Sequence, residues 1–200
     1  MSQTSSQTRV LADQIFAGEG AMRDAIRIAV ANLILVLCAW IAIPLPWSPV
    51  PITGQTFGVL LIAVLLGSRR GTIVMGLYLL EGIAGLPVFQ PFGMPGAARL
   101  LGPTAGYLLS YPIAAFVTGW LVERGAGRTI LRLFGSLIAG EVVIFAAGCA
   151  WLAAPMHFGW ARAFAAGVVP FLPGDAIKTV LVIAAVRGVE LARRDARVHP

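Results

Sequence analysis

The sequence predicts an all-α integral membrane protein with six transmembrane helices, both termini in the cytoplasm and a ligand pocket that opens to the outside. Its composition, its apolar blocks and its distribution of arginine all point to this fold class. Hydrophobic residues make up 58% of the 200-residue chain and charged residues 12%, and the mean hydropathy is +0.84. Because a soluble domain carries about 25% charged residues, this composition indicates a membrane protein.

The apolar residues fall into blocks separated by proline, glycine or arginine. The blocks approach the length that a helix needs to cross ~30 Å of hydrocarbon, and none shows the strict alternation of a β-barrel strand. The predicted helices cover residues 23–43, 52–66, 72–86, 103–122, 130–154 and 163–186. We expect one membrane domain over residues 1–200, with a polar segment at 1–22, the six-helix bundle at 23–187 and a basic tail at 188–200.

Arginine orients these helices, since cytoplasmic loops are enriched in basic residues. If the six helices alternate in direction, one side carries twelve of the fifteen basic residues. They are Arg9, Arg23, Arg27, Arg69, Arg70, Arg124, Arg128, Arg132, Arg187, Arg193, Arg194 and Arg197. The other side has only Arg99 and Arg162, and Lys178 lies within the membrane. Both termini are therefore predicted to be cytoplasmic.

The predicted outer connections differ from the short, basic inner turns. Residues 44–51, 87–96 and 155–160 are rich in proline, glycine and aromatic residues and almost without charge. Irregular backbone near membrane depth is tolerated where it is buried in protein or lines a cavity. The loops therefore predict a pocket that opens outward.

Asp175 and Lys178 are the most informative residues, because they are charged and lie inside the last apolar block. Three residues apart, they share one face of a helix. Ionised groups at membrane depth are costly and usually mark a functional site; the alternative is a neutralised pair that only ties helices together. Pro173 suits the first turn of a helix. In a helix that starts there, Asp175 would lie near the positive, N-terminal end of the helix dipole. Such a helix start could offer an acceptor and a donor to one small polar ligand.

Other polar residues leave two interpretations open. Thr53 and Gln55 either bond a ligand or cap the second helix, and Tyr107 offers an aromatic wall with a polar tip. Arg99 is either the partner of a ligand carboxylate or an interfacial anchor.

Two further acids, Glu81 and Glu141, fall near mid-membrane. They are either proton-relay acids or, more in keeping with their surroundings, protonated acids that bond between helices.

The sequence contains none of the motifs that would support catalysis. It lacks a G-x-x-x-x-G-K-[ST] phosphate loop, a G-x-S-x-G or H-E-x-x-H motif and any Cys/His cluster. Cys38 and Cys149 lie in apolar blocks, where free cysteine behaves as a small hydrophobic residue. We expect no enzymatic activity, no metal and no cofactor.

Four segments, in order along the chain, carry a resemblance to a known family. They are PVPITGQTF at 49–57, GLPVF at 85–89, GPTAGYL at 102–108 and PFLPGDAIK at 170–178. They resemble the signature segments of the biotin-specific substrate-binding (S) subunits, the BioY family, of energy-coupling-factor (ECF) transporters. The resemblance runs from the second predicted helix to the sixth.

The resemblance implies a bacterial inner-membrane protein that captures biotin from outside the cell. It also implies a transmembrane coupling protein and two ABC-type ATPases as partners, which would hydrolyse the ATP. Asp175 and Lys178 would belong to the ligand site, and the loop before the fourth helix would cover the ligand. Ala25 and Ala29 match the A-x-x-x-A pattern through which the first helix contacts the coupling protein.

Our hypothesis for the site assigns each residue a contact with biotin. Asp175 accepts from the ureido N–H groups, Lys178 binds a ligand oxygen, and Arg99 holds the valerate carboxylate. Phe89 and Tyr107 enclose the thiophane ring.

Competing interpretations are a stand-alone proton-coupled carrier that uses Glu81, Glu141 and Asp175, and an ECF binding subunit for another vitamin. A structural or assembly protein fits worst, since it would not need an ion pair in a pocket.

Overall fold

The computed structural model describes the backbone of residues 20–198 and the side chains up to residue 192. Most of the predicted polar segment 1–22 therefore lies outside the described residues. The fold is mostly helical, as predicted. The α-helices are α1 (Ala21–Trp40), α2 (Gln55–Ile83), α3 (Ala105–Glu123), α4 (Ile130–Ala153), α5 (Trp160–Gly167) and α6 (Leu172–Val198). Short 3-10 helices cover Gly96–Leu101 and Ala126–Arg128.

Helix α2 contains a reversal at Gly67, where φ is 80° and ψ is −176°. The side chain of Gln55 donates a hydrogen bond to the Tyr78 hydroxyl at 2.6 Å, although 23 residues separate the two. A straight helix would hold them about 34 Å apart, so the two halves of α2 run back along each other. Glycine is the residue that adopts this backbone conformation without steric cost.

The predicted helices 52–66 and 72–86 leave residues 67–71 as the connection between them. The structure keeps the two helical segments but confines the break to Gly67, because the helical backbone resumes at Ser68. Glu123, at the end of α3, accepts hydrogen bonds from the Ser68 backbone N–H at 2.7 Å and from its hydroxyl at 2.8 Å. A carboxylate at this position satisfies a free N–H of the new helix start. Arg69 and Arg70, which lie between the two predicted helices, are in the first turn of the second half of α2.

The last predicted span, residues 163–186, is not one helix, although the helix start predicted at Pro173 agrees with the start of α6 at Leu172. The structure divides it into α5 and α6, which are bent by 49° relative to each other. Pro170 lies in the break, and proline cannot donate the backbone hydrogen bond that a continuous helix needs. At its other end α6 continues to Val198 instead of ending near 186. An ion pair of 2.5 Å between Arg187 and Glu190 supports this added segment.

By length and composition, three helices of the described residues could cross a membrane, namely Gln55–Ile83, Ala105–Glu123 and Ile130–Ala153. The bent pair of α5 and α6 would make a fourth span. Helix α1 carries Arg23, Asp24 and Arg27 in its first two turns, which shortens its apolar stretch. Many large apolar side chains of these helices are exposed, as expected where lipid is the solvent.

The helices pack in chain order, with α1 against α2, α2 against α3 and α3 against α4. Helix α6 packs against α2 and α4. The core between them contains fully buried Leu35, Met75 and Tyr78.

A small β-hairpin, which the sequence did not predict, lies between α1 and α2. Its antiparallel strands are β1 (Ala42–Ile43) and β2 (Ile52–Thr53), with Ala42 opposite Thr53. The hairpin holds the proline-rich loop 44–51 at the same end of the molecule as the start of α2.

Candidate functional site

One cavity, at the end of the bundle where the loop 44–51 and the start of α2 lie, brings together all seven residues predicted to bind the ligand. Its lining includes Thr53, Gln55, Phe89, Arg99, Tyr107, Asp175 and Lys178. It also includes residues that the sequence prediction did not select, among them Thr56, Gln90, Thr104, Tyr111, Phe145 and Phe171.

The polar centre of the cavity is a three-residue group of Asp175, Lys178 and Thr56. The ammonium nitrogen of Lys178 lies 2.7 Å from Oδ1 of Asp175 and 2.9 Å from the hydroxyl oxygen of Thr56. The Thr56 hydroxyl donates to the same Oδ1 at 2.8 Å. Both hydrogen bonds that Asp175 accepts within this group end on Oδ1, and neither occupies Oδ2.

The local sequence explains how these three side chains meet. The break at residues 168–171 starts α6 at Leu172, which places Asp175 in its first turn and Lys178 on the next turn. Thr56 lies in the first turn of α2, which packs against α6. The missed signal for Thr56 was a hydroxyl side chain at the start of an otherwise apolar block.

The Asp175–Lys178 pair is largely removed from water, with the Lys178 side chain 15% exposed. Asp175 is 2% exposed. Removing one partner of a buried ion pair costs about 3–5 kcal/mol, because the other charge then remains uncompensated. The pair therefore survives only with its hydrogen bonds complete, and a ligand that enters must satisfy both charges.

Arg99 lies on the Gly96–Leu101 3-10 helix and forms part of the cavity wall. It is buried, with a hydrogen bond from Nη2 to the Gln90 carbonyl oxygen at 3.0 Å and a second from Nη1 to the Phe92 carbonyl. Its Nε is buried and has no hydrogen-bond partner among the described residues. Burial lowers the pKa of the guanidinium. A buried cation with an unused donor is poised for an anionic or carbonyl oxygen.

Thr53 and Gln55 belong to a hydrogen-bond network at the start of α2. The Thr53 hydroxyl accepts from the Gln55 backbone N–H at 3.3 Å and donates to its Oε1 at 3.1 Å. The Gln55 amide nitrogen in turn bonds the Tyr78 hydroxyl. Both interpretations of these residues are thus compatible with their positions, since they line the cavity and also bond the helix start.

Aromatic rings form the apolar walls. Phe89 packs edge-on against Tyr78 at a centroid distance of 5.3 Å and fits over Gly82, where a Cβ would lie 2.0 Å from its Cζ. The Tyr107 hydroxyl donates to the Gly167 carbonyl at 2.6 Å and so fastens α3 to the end of α5. These walls suit an apolar ring flanked by polar groups.

Loops cover the cavity. Ser48, in the loop before β2, donates to the Ala166 carbonyl at 2.7 Å, and the Trp40 indole donates to the Pro87 carbonyl at 2.9 Å. The open space beneath them is about 40 Å³, well below the ~300–1,000 Å³ of typical ligand pockets. A larger ligand must therefore displace the lining side chains or the loops.

The two remaining membrane acids lie outside this lining. Glu141 accepts a hydrogen bond from the Thr179 hydroxyl at 2.6 Å, and Glu81 accepts one from the Asn32 amide at 2.6 Å. Each bond joins two helices, α4 to α6 and α1 to α2. Ala25 and Ala29, the predicted contacts with the coupling protein, are exposed on α1.

These features define a class: a helical membrane protein with a partly covered site for a small molecule that carries both hydrogen-bond donors and oxygens. Among residues 20–198, no group of three or more His, Cys, Asp or Glu side chains is placed to hold a metal ion. The chain belongs to the BioY family, whose model matches residues 4–195.

Known proteins agree with this assignment. The chain is 40% identical to the biotin transporter BioY of Thermotoga maritima, over 86% of this chain and 97% of that protein. It is also 40% identical to the biotin transporter BioY of Rhizobium etli, over 76% of this chain and 83% of that protein. The predicted family is confirmed, and so is the prediction that the protein is not an enzyme.

Among solved structures, the fold matches the S-component for biotin from an ECF-type ABC transporter. The TM-score is 0.78, with 26% identity, over 86% of this chain and 95% of that one. The chain therefore has the S-component fold of a multi-pass membrane protein.

Proposed function

We propose that this protein captures biotin with high affinity and takes it up across the bacterial cytoplasmic membrane as the S subunit of an ECF-type transporter. The observation that carries the proposal is the Asp175–Thr56–Lys178 group, which lies in a cavity of a chain that belongs to the BioY family. Biotin presents two ureido N–H groups beside a carbonyl oxygen, and this group offers an acceptor beside donors.

The cavity supports a specific orientation of the ligand. Oδ2 of Asp175 accepts from the ureido N–H groups, and the Lys178 ammonium donates to the ureido oxygen. Phe89 and Tyr107 enclose the thiophane ring, and the Arg99 guanidinium binds the valerate carboxylate. Charge-assisted hydrogen bonds at both ends of the ligand are roughly twice as strong as neutral ones, which favours tight capture.

Thr53 and Gln55 contribute at the ureido end. Their side chains line the cavity, and their bonds to each other and to Tyr78 fix the start of α2 beside Thr56. They position the polar group and present neutral hydrogen-bonding atoms to the ligand.

The membrane arrangement follows from the reversal at Gly67 and the arginine distribution. Helix α1, the two halves of α2, α3, α4 and the α5–α6 pair make six passes through the lipid, within one domain over residues 1–200. Both termini then lie in the cytoplasm, and the loops that cover the cavity face outward.

Transport requires partners. The exposed Ala25 and Ala29 on α1 allow close approach of a helix from the transmembrane coupling protein. ABC-type ATPases bound to that protein would hydrolyse ATP, and this chain would use no cofactor of its own.

The decisive experiment measures biotin retained by purified protein. Mass spectrometry of the small molecule that co-purifies should identify biotin, and a different vitamin would contradict the substrate assignment. Asp175→Asn should reduce retention at least 100-fold, because part of an acceptor becomes a donor and Lys178 loses its charge partner. Glu190→Gln, an equal charge change on the same helix outside the cavity, should retain biotin normally.

The transport mechanism has its own test. Uptake into ATP-replete vesicles that carry the coupling protein and ATPases should persist when the proton gradient is removed. Uptake that collapses with an uncoupler would instead identify a proton-coupled carrier.

A further inference from the structure

A second chamber lies against the ligand cavity, on the side of the covering loops. Its open volume is about 260 Å³, compared with about 40 Å³ for the inner cavity. Pro51, Gln90, Arg99 and Thr104 line both spaces. The two chambers are therefore separated by a wall only one side chain thick.

Arg99 is the charged member of this shared wall. Its guanidinium is held by the Gln90 and Phe92 carbonyls and not by an acid among the described residues, and its Nε has no partner. A ligand oxygen that binds Arg99 thus lies at the boundary, with the larger chamber directly beyond it.

The outer chamber is lined mainly by apolar side chains and backbone. Leu45, Phe92, Met94 and Ala98 contribute to it, and it is partly open at the surface. A chain of methylene groups would fit such a lining, while polar groups at the end of that chain would reach water.

We propose that the site also accepts biotin amides extended at the carboxyl end, of which ε-N-biotinyl-lysine is the simplest natural type. The inference rests on the proposed function, since it places the valerate end of biotin at Arg99. The ureido and thiophane parts occupy the inner cavity, the amide carbonyl accepts from Arg99, and the lysyl chain occupies the outer chamber.

The chemistry of the amide sets the expected affinity. An amide keeps the carbonyl oxygen that accepts from Arg99 but loses the negative charge of the carboxylate. Charge-assisted hydrogen bonds are roughly twice as strong as neutral ones, so we expect biotinyl-lysine to bind about 10- to 100-fold more weakly than biotin. An extension at a ureido nitrogen would instead meet Asp175 in the small inner cavity and should abolish binding.

The experiment is competition against radiolabelled biotin on purified full-length protein. Biotinyl-lysine should displace the label, and biotin substituted at a ureido nitrogen should not. Failure of biotinyl-lysine to compete at a thousandfold excess over the biotin Kd would overturn the inference. Failure of unlabelled biotin itself to bind would instead overturn the proposed function.

A matched pair of variants locates the extension. Ala98 lines the outer chamber only, whereas its neighbour Ala97 is exposed on the same 3-10 helix and lines neither space. Ala98→Phe should fill the chamber and weaken biotinyl-lysine at least ~10-fold relative to biotin. Ala97→Phe should leave the ratio of the two affinities unchanged.

The outcomes are distinct. An unchanged ratio in Ala98→Phe would show that the lysyl chain does not lie in the outer chamber. If Ala98→Phe lost biotin binding as well, Ala98→Leu would be measured in its place, with the wild-type competition still deciding whether amides bind.

Discussion

The Thr56 hydroxyl donates a hydrogen bond of 2.8 Å to Oδ1 of Asp175, across 119 positions of sequence and between the first turns of two different helices. The same hydroxyl accepts from Lys178. The neutral Thr56 side chain thus connects the charged pair to α2. The polar centre of the cavity lies where the starts of α2 and α6 meet.

Replacing Thr56 by valine keeps the volume of the side chain and removes both hydrogen bonds. The Lys178 ammonium and the Asp175 carboxylate each lose a partner, and bonds to charged groups contribute about 1.5–3 kcal/mol. We expect biotin affinity to fall about 10- to 100-fold, measured by equilibrium binding of radiolabelled biotin. Wild-type affinity in Thr56→Val would contradict a role for this hydroxyl in the site.

Thr118→Val is the matched control for Thr56→Val. It also carries a separate prediction, about stability. Thr118 is fully buried in α3, and its hydroxyl has no hydrogen-bond partner among the described residues. Valine removes an unsatisfied polar atom whose burial costs about 1–3 kcal/mol. We expect a higher thermal unfolding temperature in detergent and unchanged biotin affinity. A lower unfolding temperature would show that the hydroxyl is bonded in the native protein.

Gly67→Ala should destabilise the fold, because the reversal of α2 requires φ near 80°. This conformation is almost confined to glycine, and imposing it on another residue costs about 1–3 kcal/mol. Gly76→Ala is the control on the same helix, since a Cβ there meets nothing within 4 Å. It should stabilise by about 0.5–1 kcal/mol. Equal unfolding temperatures for the two variants would refute the reversal at Gly67.

Gly82→Ala tests the aromatic wall. Its added Cβ would lie 2.0 Å from Cζ of Phe89, so the ring must leave its place over Gly82 and beside Tyr78. Because a ring at the end of a loop side chain can move, we expect faster release of biotin, by about 10-fold, with little change in unfolding temperature. The measurement is the dissociation rate after dilution, compared with Gly76→Ala. Normal release from Gly82→Ala would mean that Phe89 does not enclose the ligand.

Much of the fold was readable from local sequence. Apolar blocks predicted helices because every backbone group in lipid must be bonded within its own segment. The three-residue spacing of Asp175 and Lys178 predicted a shared helix face, which the structure shows as a 2.7 Å ion pair. The four motifs predicted the family, which is confirmed.

The errors concerned where helices break. Residues 67–71 were left as the connection between two predicted helices, but the break is at Gly67 alone, and the Glu123 carboxylate from α3 bonds the next helix start. The last span was predicted over residues 163–186 with a helix start at Pro173; the start of α6 at Leu172 agrees with that start, but the residues before it form a separate helix, α5. At Gly67 the exact break depends on a carboxylate supplied by a distant helix, whereas at Pro170 a local signal was present in the sequence and was not used.

The sequence by itself determined the class of protein, the membrane as its solvent and the acid and base of its last helix, because each depends on composition or on spacing within one helix. Only the tertiary structure decided that Thr56 bonds both Asp175 and Lys178 and that Arg99 is buried with an unused donor. It also decided that Arg99 lies in the wall between two chambers. These are contacts between segments far apart in the chain, and they arise when helices pack and loops close over them, which no local pattern specifies.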